Sequence, residues 1–343
     1  MDSQPSQDLR QLIQKVSGGA TLSEAEIRTA LDLMTEGAAT GAQMGAFLMA
    51  LRVRGETVEE ITGAAQMMRA RMNRVEVVPG AVDIVGTGGD GTGTFNVSTC
   101  ATLVAAGAGA KVAKHGNRSV SSQAGASDVL SALGVKLDVP FDVTSRCVAE
   151  AGVGFMWAPQ HHPAMKHWAP IRAELGIRTI FNLLGPICNP AGVKRQIVGV
   201  FSWQWVEPIA DVLNNLGCEH VWVVHGHDGL DELTTTGATD VAEVKDGKVR
   251  VFEVTPADAG LTPAKLSDLK GGDAQFNAEA IKDVLAGKKT PLRDIAILNA
   301  AAALIVAGLA ANLTDGAAMA AHSIESGAAT RGLEQLVAIT NGR

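Results

Sequence analysis

Hydrophobic positions divide the chain into a helical first part and an α/β remainder. Over residues 1–74, apolar residues recur every three to four positions, as in Ile27, Leu31 and Met34, which is typical of amphipathic helices. Gly37 and Gly55 stand where such helices would end. Each predicted helix start has a capping box, a Ser or Thr followed three residues later by Glu or Gln: Ser23 with Glu26, Thr40 with Gln43, and Thr57 with Glu60. The short connections predict a bundle of antiparallel helices.

From Val82 onward, short apolar runs alternate with helical segments, a pattern that predicts a largely parallel sheet flanked by helices. The Asp246-Gly247 pair is a hairpin signal between two further strands, 241–245 and 248–252. The last part, from Asp294, is again helical. The predicted strands are 83–85, 111–113, 153–157, 196–201 and 220–224. The fold class is therefore α/β with a separate all-helical N-terminal domain.

The segment from Gly86 to Gly93 contains five glycines in eight positions and joins the first predicted strand to a helix that begins near Asn96. Glycine allows close backbone approach and positive φ, and the free N–H groups of a helix start attract anions. A polar run from Lys114 to Ser122 follows the second predicted strand, and we interpret it as a second binding loop. Two such loops predict a ligand that carries phosphate at more than one place.

The spacing Gly86-x-Gly88-x-x-Gly91 also fits the dinucleotide-binding fingerprint of dehydrogenases, which expects an acidic residue about 20 positions further on. That region, residues 108–114, contains no acidic residue, and no lysine ends the glycine loop as a P-loop would require. A glycine-rich turn without a ligand is the simplest alternative, but a turn needs only one or two glycines.

Composition narrows the function classes. The net charge is −7, from 29 basic and 36 acidic residues, and the only basic cluster, Lys111, Lys114, His115 and Arg118, is local, so a nucleic-acid polymer is not the expected ligand. The longest apolar run has 12 residues, too short for a membrane span of about 20. No signal peptide is recognisable, so we expect a cytoplasmic protein. The four cysteines are scattered, which disfavours a zinc site or a disulfide framework.

The ordered motifs resemble the anthranilate phosphoribosyltransferase family. Those that carry the resemblance are Gly86-Thr-Gly-Gly-Asp90, Asn96-Val-Ser-Thr99, Lys114-His-Gly-Asn-Arg118, His162-Pro-Ala-Met-Lys166, Pro170-Ile-Arg172, Leu175 to Pro186 with Asn189-Pro190, and Gly229-Leu-Asp-Glu232. The resemblance implies transfer of phosphoribose from 5-phosphoribosyl 1-pyrophosphate (PRPP) to the amine of anthranilate, in tryptophan biosynthesis. It also implies a nucleoside phosphorylase-like fold, Mg²⁺ as cofactor, and a homodimer.

The family's binding residues can be carried over position by position. Anthranilate is expected at Gly86, Asn117 and Arg172, and Mg²⁺ at Ser98, Asp231 and Glu232. No acid–base catalyst is assigned, and Arg178 is treated as a structural arginine. His162 is expected to shape the entrance of the aromatic slot. The residues expected to bind PRPP are Gly86, Gly89, Asp90, Thr94, Asn96, Val97, Ser98, Thr99, Lys114, His115, Gly116, Asn117, Arg118, Ser119, Val120, Ser121, Ser122 and Ala126.

In this family the segment near residues 172–195 joins the N-terminal helices. The expected domains are therefore 1–74 plus about 172–195, which is helical and forms the dimer contact, and 75–171 plus 196–343, which binds PRPP. Two further alternatives remain open at this point. One is a pyrimidine nucleoside phosphorylase-like enzyme, and the other is a non-catalytic relative that binds nucleic acid. The acidic composition and the presence of both Gly86 and Asp231-Glu232 disfavour the second.

Overall fold

The computed structural model describes residues 5–118 and 123–343, with side chains described from Leu9 onward. The predicted N-terminal bundle is present as four helices: α1 (Pro5–Ser17), α2 (Glu24–Thr35), α3 (Gly41–Arg54) and α4 (Val58–Ala70). All three predicted capping boxes form. Gly37 and Gly55 adopt positive φ just after α2 and α3. The local signals at helix ends were therefore sufficient to locate these helices.

A seven-stranded sheet forms the centre of the second part, in the order β3-β2-β1-β4-β5-β6-β7. The first five strands are parallel, and the last two are antiparallel. The predicted hairpin joins the last two strands, with positive φ at Asp246 and Gly247. The strands are β1 (Val82–Gly86), β2 (Val112–Gly116), β3 (Val153–Trp157), β4 (Arg195–Gly199), β5 (His220–Gly226), β6 (Thr239–Lys245) and β7 (Lys248–Val254).

Two features of the second strand differ from the prediction in ways that matter for the site. The strand runs to Gly116, so Lys114, His115 and Gly116 belong to β2 and not to a loop. Lys111 precedes β2 at its amino end, where its ammonium donates to the carbonyl of Ala149, so it lies away from the glycine loop. The prediction failed because polar residues normally mark the end of a strand, whereas these polar residues are buried within the sheet.

Helices cover both faces of the sheet and supply the core. Two Ala-rich helices, α5 (Val97–Gly107) and α13 (Pro291–Val306), pack against each other beneath β1, and the hydrophobic cluster there includes Val104, Leu298 and Leu304. The remaining helices are α5 (Val97–Gly107), α6 (Ala126–Ala132), α7 (Phe141–Glu150), α8 (Ala158–His161), α9 (Ala169–Leu175), α10 (Ile180–Ile187), α11 (Val206–Asn215), α12 (Ala274–Leu285), α13 (Pro291–Val306), α14 (Leu313–Glu325) and α15 (Ala328–Thr340). Among the described residues, no helix is long and apolar enough to cross a membrane.

Two short helices from the middle of the chain pack on the N-terminal bundle. Helix α9 contacts α3, and α10 contacts α3 and α4. Trp168, just before α9, is fully buried, donates to Thr35 Oγ1 at 3.2 Å and contacts the ring of Phe181. The hydrophobic cluster of the bundle continues through α10 to residues of the sheet such as Val198 and Val223. The division into 1–74 plus about 172–195 and the remainder stays a prediction.

Candidate active site

The candidate site lies at the carboxyl ends of the parallel strands. The chain builds β1, β2 and β3 in one direction and then returns to add β4 on the other side of β1. Such a reversal leaves a crevice at the carboxyl ends of the two central strands, where ligands of open α/β sheets bind. The strands flanking the crevice end at Gly86 and Gly199.

The acidic pair that follows β5 reaches this crevice. An added Cβ at Gly86 would lie 2.5 Å from Asp231 Oδ2, and one at Gly199 would overlap the carbonyl oxygen of Asp231. Glycine is therefore required at both strand ends so that the segment carrying Asp231 can pass. Asp231 Oδ2 also accepts a hydrogen bond of 2.6 Å from the backbone N–H of Gly88.

Glu232 binds the start of helix α5. Its Oε1 accepts a hydrogen bond of 3.2 Å from the backbone N–H of Ser98, so a carboxylate occupies the helix N-terminus that was predicted to receive phosphate. The helix begins at Val97 after Asn96, and no side-chain hydroxyl caps it. The Oγ1 of Thr99 is buried and has no hydrogen-bond partner among the described residues. The alternative that these hydroxyls serve as helix caps is therefore not supported.

Burial and mutual repulsion dominate the electrostatics of the acidic pair. Burial, and next the charge of Asp90, raise the pKa of Asp231 above its usual range. Burial, and next the charge of Asp231, raise the pKa of Glu232. Asp90 itself organises the glycine loop, accepting from the N–H and the hydroxyl of Thr92 at 3.1 and 2.7 Å. Three acidic groups thus share one region, which favours binding of a cation.

The glycine loop is held by residues distant in the sequence. The guanidinium of Arg178 donates to the carbonyl of Gly89 and stacks 4.2 Å from the ring centroid of Phe201. The ammonium of Lys270 donates to the carbonyl of Thr92. Thr94 forms an isolated β-bridge with Lys270. Arg178, which we interpreted as a structural arginine, therefore holds the backbone of the glycine loop.

Lys270 and its neighbours were missed by sequence reasoning. An added Cβ at Gly271 would lie 2.6 Å from the Cα of Phe95, so this glycine allows the segment to pack against the loop. Asn277 Nδ2 donates to Asn96 Oδ1 at 2.9 Å. The pair Gly271-Gly272 was the only local sign of a close backbone contact in this segment. No motif linked it to a loop about 180 residues away.

The end of β2 brings basic side chains toward the crevice. Lys114 and His115 are buried, and Gly116 ends the strand. Asn117 follows, and its Oδ1 accepts from the N–H of Arg118 at 2.8 Å. The side chain of Arg118 is exposed, and its Nε lies 3.7 Å from Oδ1 of Asp128. Ala126 is the first residue of α6. Ser119, Val120, Ser121 and Ser122, also predicted to bind PRPP, lie outside the described residues.

Two histidines meet at the same end of the sheet. The Nε2 atoms of His115 and His162 are 3.2 Å apart, and the ring centroids are separated by 5.0 Å. Burial, with the neighbouring histidine charges adding to it, lowers the pKa of His115 well below its usual range. Burial lowers the pKa of His162 to about 4. Both imidazoles are therefore expected to be neutral at physiological pH, so this end of β2 carries no histidine charge.

Arg172 lies on α9, at the edge of the helical bundle. Its guanidinium carbon is 5.5 Å from the centroid of the Phe181 ring, and burial lowers the pKa of the guanidinium. Among the described residues it forms no ion pair, so the alternative of a surface salt bridge is not supported for this arginine. Its planar donors remain available for a carboxylate ligand.

Comparison with known proteins decides the family. Residues 78–330 match the glycosyl transferase family a/b domain, and residues 10–72 match the helical bundle domain of the same family. Anthranilate phosphoribosyltransferase from Rhodopseudomonas palustris strain BisA53 is 61% identical over 334 residues, covering 97% of this chain and 98% of the relative. The chain belongs to the anthranilate phosphoribosyltransferase family. The resemblance inferred from the ordered motifs is thereby confirmed.

Solved structures of the family agree with the observed fold. Anthranilate phosphoribosyltransferase from Thermus thermophilus has a TM-score of 0.90 and 42% identity, covering 96% of this chain and 99% of its own. The enzyme from Saccharomyces cerevisiae in complex with PRPP and Mg has a TM-score of 0.90 and 30% identity, covering 98% of this chain and 99% of its own. The fold class predicted from the sequence is confirmed, and these relatives favour the transferase over the phosphorylase alternative.

The donor set of the site suits Mg²⁺. Asp231 and Glu232 supply carboxylate oxygens, and Ser98 supplies a hydroxyl at the start of α5, all of them the hard oxygen ligands that Mg²⁺ prefers. Neither carboxylate forms a salt bridge among the described residues, and burial together with neighbouring acidic charge raises the pKa of both. A divalent cation bound there would supply the missing compensation.

Proposed function

We propose that this chain transfers the phosphoribosyl group of PRPP to the amine of anthranilate, giving N-(5-phosphoribosyl)anthranilate and pyrophosphate, as a step of tryptophan biosynthesis. The observation that carries the proposal is the meeting of the glycine loop, the start of α5 and Asp231-Glu232 at the crevice between β1 and β4. Relatives of that name cover nearly the whole chain, which supports the same assignment.

PRPP is assigned to the glycine loop and to the end of β2. The backbone N–H groups of the loop and of α5 face the pyrophosphate, and Lys114 and Arg118 contribute positive charge. In the reaction, the bond between ribose C1 and pyrophosphate breaks, a C–N bond to the amine forms, and the amine releases a proton. Positioning and charge stabilisation carry most of the catalysis. The wider proposed set is that predicted from the sequence: Gly86, Gly89, Asp90, Thr94, Asn96 to Thr99, Lys114 to Ser122, and Ala126.

Mg²⁺ is assigned to Ser98, Asp231 and Glu232. When bound, the ion would neutralise the pyrophosphate and stabilise the charge that develops on it as a leaving group. The protein's own part is to hold the two carboxylates in the crevice, through the N–H of Gly88 for Asp231 and the N–H of Ser98 for Glu232.

Anthranilate is assigned to the space between Arg172, Asn117 and the backbone of Gly86. The carboxylate of the substrate would pair with the guanidinium of Arg172, which has planar donors and no ion-pair partner among the described residues. The uncharged imidazole rings of His115 and His162 would offer flat faces against which the aromatic ring can stack, and we retain the expectation that His162 shapes the entrance of the slot.

The proposal also includes a homodimer and a cytoplasmic location. We assign the homodimer contact to the helical bundle, where Val53 on α3 is 79% exposed. The assignment comes from the family resemblance, because a single exposed hydrophobic side chain is common on protein surfaces. The four cysteines are free thiols, in keeping with a reducing compartment such as the cytoplasm. Light scattering after gel filtration of the wild type and of Val53→Asp tests the dimer, since the variant is expected to be monomeric.

The decisive experiment follows the fluorescence of anthranilate in the presence of purified protein, PRPP and Mg²⁺. The signal should fall only when all components are present, and EDTA should stop the fall until Mg²⁺ is restored in excess. Product identity is checked by mass spectrometry. If a folded protein leaves anthranilate unchanged under all these conditions, the proposed function is wrong.

A further inference from the structure

Strand β1 is bound very differently to its two neighbours. It pairs with β4 along its whole length, from Val82 to Gly86. With β2 it pairs only at Val82, opposite Val112. The sheet therefore opens between β1 and β2 toward their carboxyl ends, where the candidate site lies. The backbone N–H and C=O groups along this opening have no ladder partner. They need other hydrogen-bond partners, because a buried polar group without one is costly.

Three buried side chains replace the missing ladder. The N–H of His115 donates to Asp83 Oδ1 at 3.2 Å. The carbonyl of Ala113 accepts from Asn189 Nδ2 at 2.9 Å, and the carbonyl of Ile84 accepts from the ammonium of Lys114. Asp83, Lys114 and Asn189 thus form one layer within the sheet, which we call the polar seam.

Asn189 holds the carboxylate of the polar seam in place. Its Nδ2 donates to Asp83 Oδ2 at 2.7 Å, and its Oδ1 accepts from the N–H of Ala191 at 2.8 Å. The side-chain amide is therefore satisfied on both sides, and Asp83 has partners on both oxygens. All three members are almost completely buried, with 0% exposure for Asp83 and 2% for Lys114 and Asn189.

Asp83 and Lys114 also attract each other electrostatically, although no direct salt bridge joins them among the described residues. Burial lowers the pKa of Lys114, and the largest opposing influence is the charge of Asp83, followed by Glu232 and Asp231. Burial raises the pKa of Asp83 to about 6, against the opposing charge of Lys114. Removal of the Asp83 charge would therefore leave the buried Lys114 ammonium with less opposing charge. Lys114 thus interacts both with Asp83 and with the acidic pair that is proposed to hold Mg²⁺.

We propose that Asp83 is a positioning residue for PRPP binding, which, held by Asn189, keeps the Lys114 ammonium and the end of β2 in place within the opened sheet. Asp83 is not expected to touch substrate, and it acts through Lys114. This inference rests on the proposed function, because it requires PRPP to bind at the carboxyl ends of β1 and β2.

A double-mutant cycle with Asp83→Asn and Lys114→Met tests the inference. Asparagine retains an oxygen that can accept from the N–H of His115, but its amide nitrogen would face the Nδ2 of Asn189, so Asp83→Asn removes both the charge and the hydrogen bond from Asn189. Each single variant should raise the KM for PRPP by about tenfold or more, with the KM for anthranilate changed by less than about twofold. The double variant should be no worse than Lys114→Met alone, because both substitutions act through the same group.

Stability and binding measurements separate this role from a purely structural one. Asp83→Asn should lower the melting temperature, and the double variant should recover part of the loss, because the buried ammonium whose charge Asp83 opposes is then also removed. Calorimetric titration with PRPP and Mg²⁺ in the absence of anthranilate should show the same weakening as the KM. If Asp83→Asn does not fold, the double variant and Asn189→Ala, expected to shift the KM for PRPP in the same direction, take its place. Asp142→Asn, an exposed aspartate on α7, is the matched control.

Additive losses in the cycle would overturn the inference, as would equal changes in the KM of both substrates. A failure of the proposed function would look different, since the wild type itself would then leave anthranilate unchanged. Wild-type turnover combined with an additive cycle would retain the transferase and remove the role of Asp83.

Discussion

Buried carboxylates occur in both parts of the molecule, but their surroundings differ. Glu60 in the helical bundle is fully buried and accepts from the N–H groups of Leu22 and Thr57 at 2.8 and 2.9 Å, from the Thr57 hydroxyl at 3.1 Å, and from the guanidinium of Arg54. Its charge is compensated by an arginine, and its oxygens have several donors.

Asp231 and Glu232 lack such compensation. From other segments, each accepts one backbone hydrogen bond, from Gly88 and Ser98 respectively. Their neighbours include further acidic charge, and the pKa of both groups is raised. The contrast indicates that the carboxylate of the bundle stabilises the fold, whereas the acidic pair has uncompensated charge that can bind a cation and its ligand.

The largest expected effect comes from replacing the acidic pair. Asp231→Asn combined with Glu232→Gln should reduce turnover by at least about a thousandfold and abolish its dependence on Mg²⁺, because bound metal contributes several kcal/mol of charge stabilisation. The melting temperature should stay the same or rise, since two buried charges are removed. Glu253→Gln, an exposed carboxylate on β7, is the control. Unchanged magnesium dependence would remove Asp231 and Glu232 from the metal site.

The opposite behaviour is expected of Glu60. Glu60→Ala should lower the free energy of unfolding by about 3 kcal/mol, because Arg54 loses its opposite charge and the N–H groups of Leu22 and Thr57 lose their acceptor. Folded protein should retain the KM for both substrates. Urea unfolding followed by circular dichroism measures the loss, with the exposed neighbour Glu59→Ala as the control. A selective rise in the KM for PRPP would contradict the structural role.

Arg172 offers a smaller test, of substrate selectivity. Arg172→Ala should raise the KM for anthranilate by roughly 10- to 100-fold, with little change in PRPP affinity. This range corresponds to the free energy contributed by hydrogen bonds to a charged group. Steady-state kinetics with each substrate varied in turn measures this, and Glu174→Ala on the same helix is the control. Equal losses for both substrates would refute the assignment of anthranilate to Arg172.

The smallest expected effect is on pH dependence. Because the pKa of Asp231 and of Glu232 is raised in the free protein, protons compete with Mg²⁺ near neutrality, and binding of the metal must release them. The Mg²⁺ concentration for half-maximal activity should therefore fall as the pH rises through neutrality. Kinetic titrations with Mg²⁺ at several pH values measure the trend. A half-maximal concentration independent of pH would show that the carboxyl groups are already ionised.

Local sequence patterns predicted the structure correctly wherever the interactions that determine it lie within a few residues. Capping boxes, helix-ending glycines and the Asp246-Gly247 turn depend on hydrogen bonds and φ angles within a few residues, and the structure contains all of them. The glycine loop and the acidic pair were recognisable as motifs. Lys114 to Gly116 were misassigned to a loop because polarity was taken as a sign of exposure.

The amino-acid sequence by itself determined the helices of the bundle, the α/β class and the family, because periodicity, capping and ordered motifs are written along the chain. Only the tertiary structure decided which distant groups meet: Asp231 against Gly86, Arg178 and Lys270 on the glycine loop, and Asp83 with Asn189 inside the opened sheet. Such contacts depend on how strands are ordered and how closely backbones approach, and these follow from the packing of the whole chain rather than from any single segment.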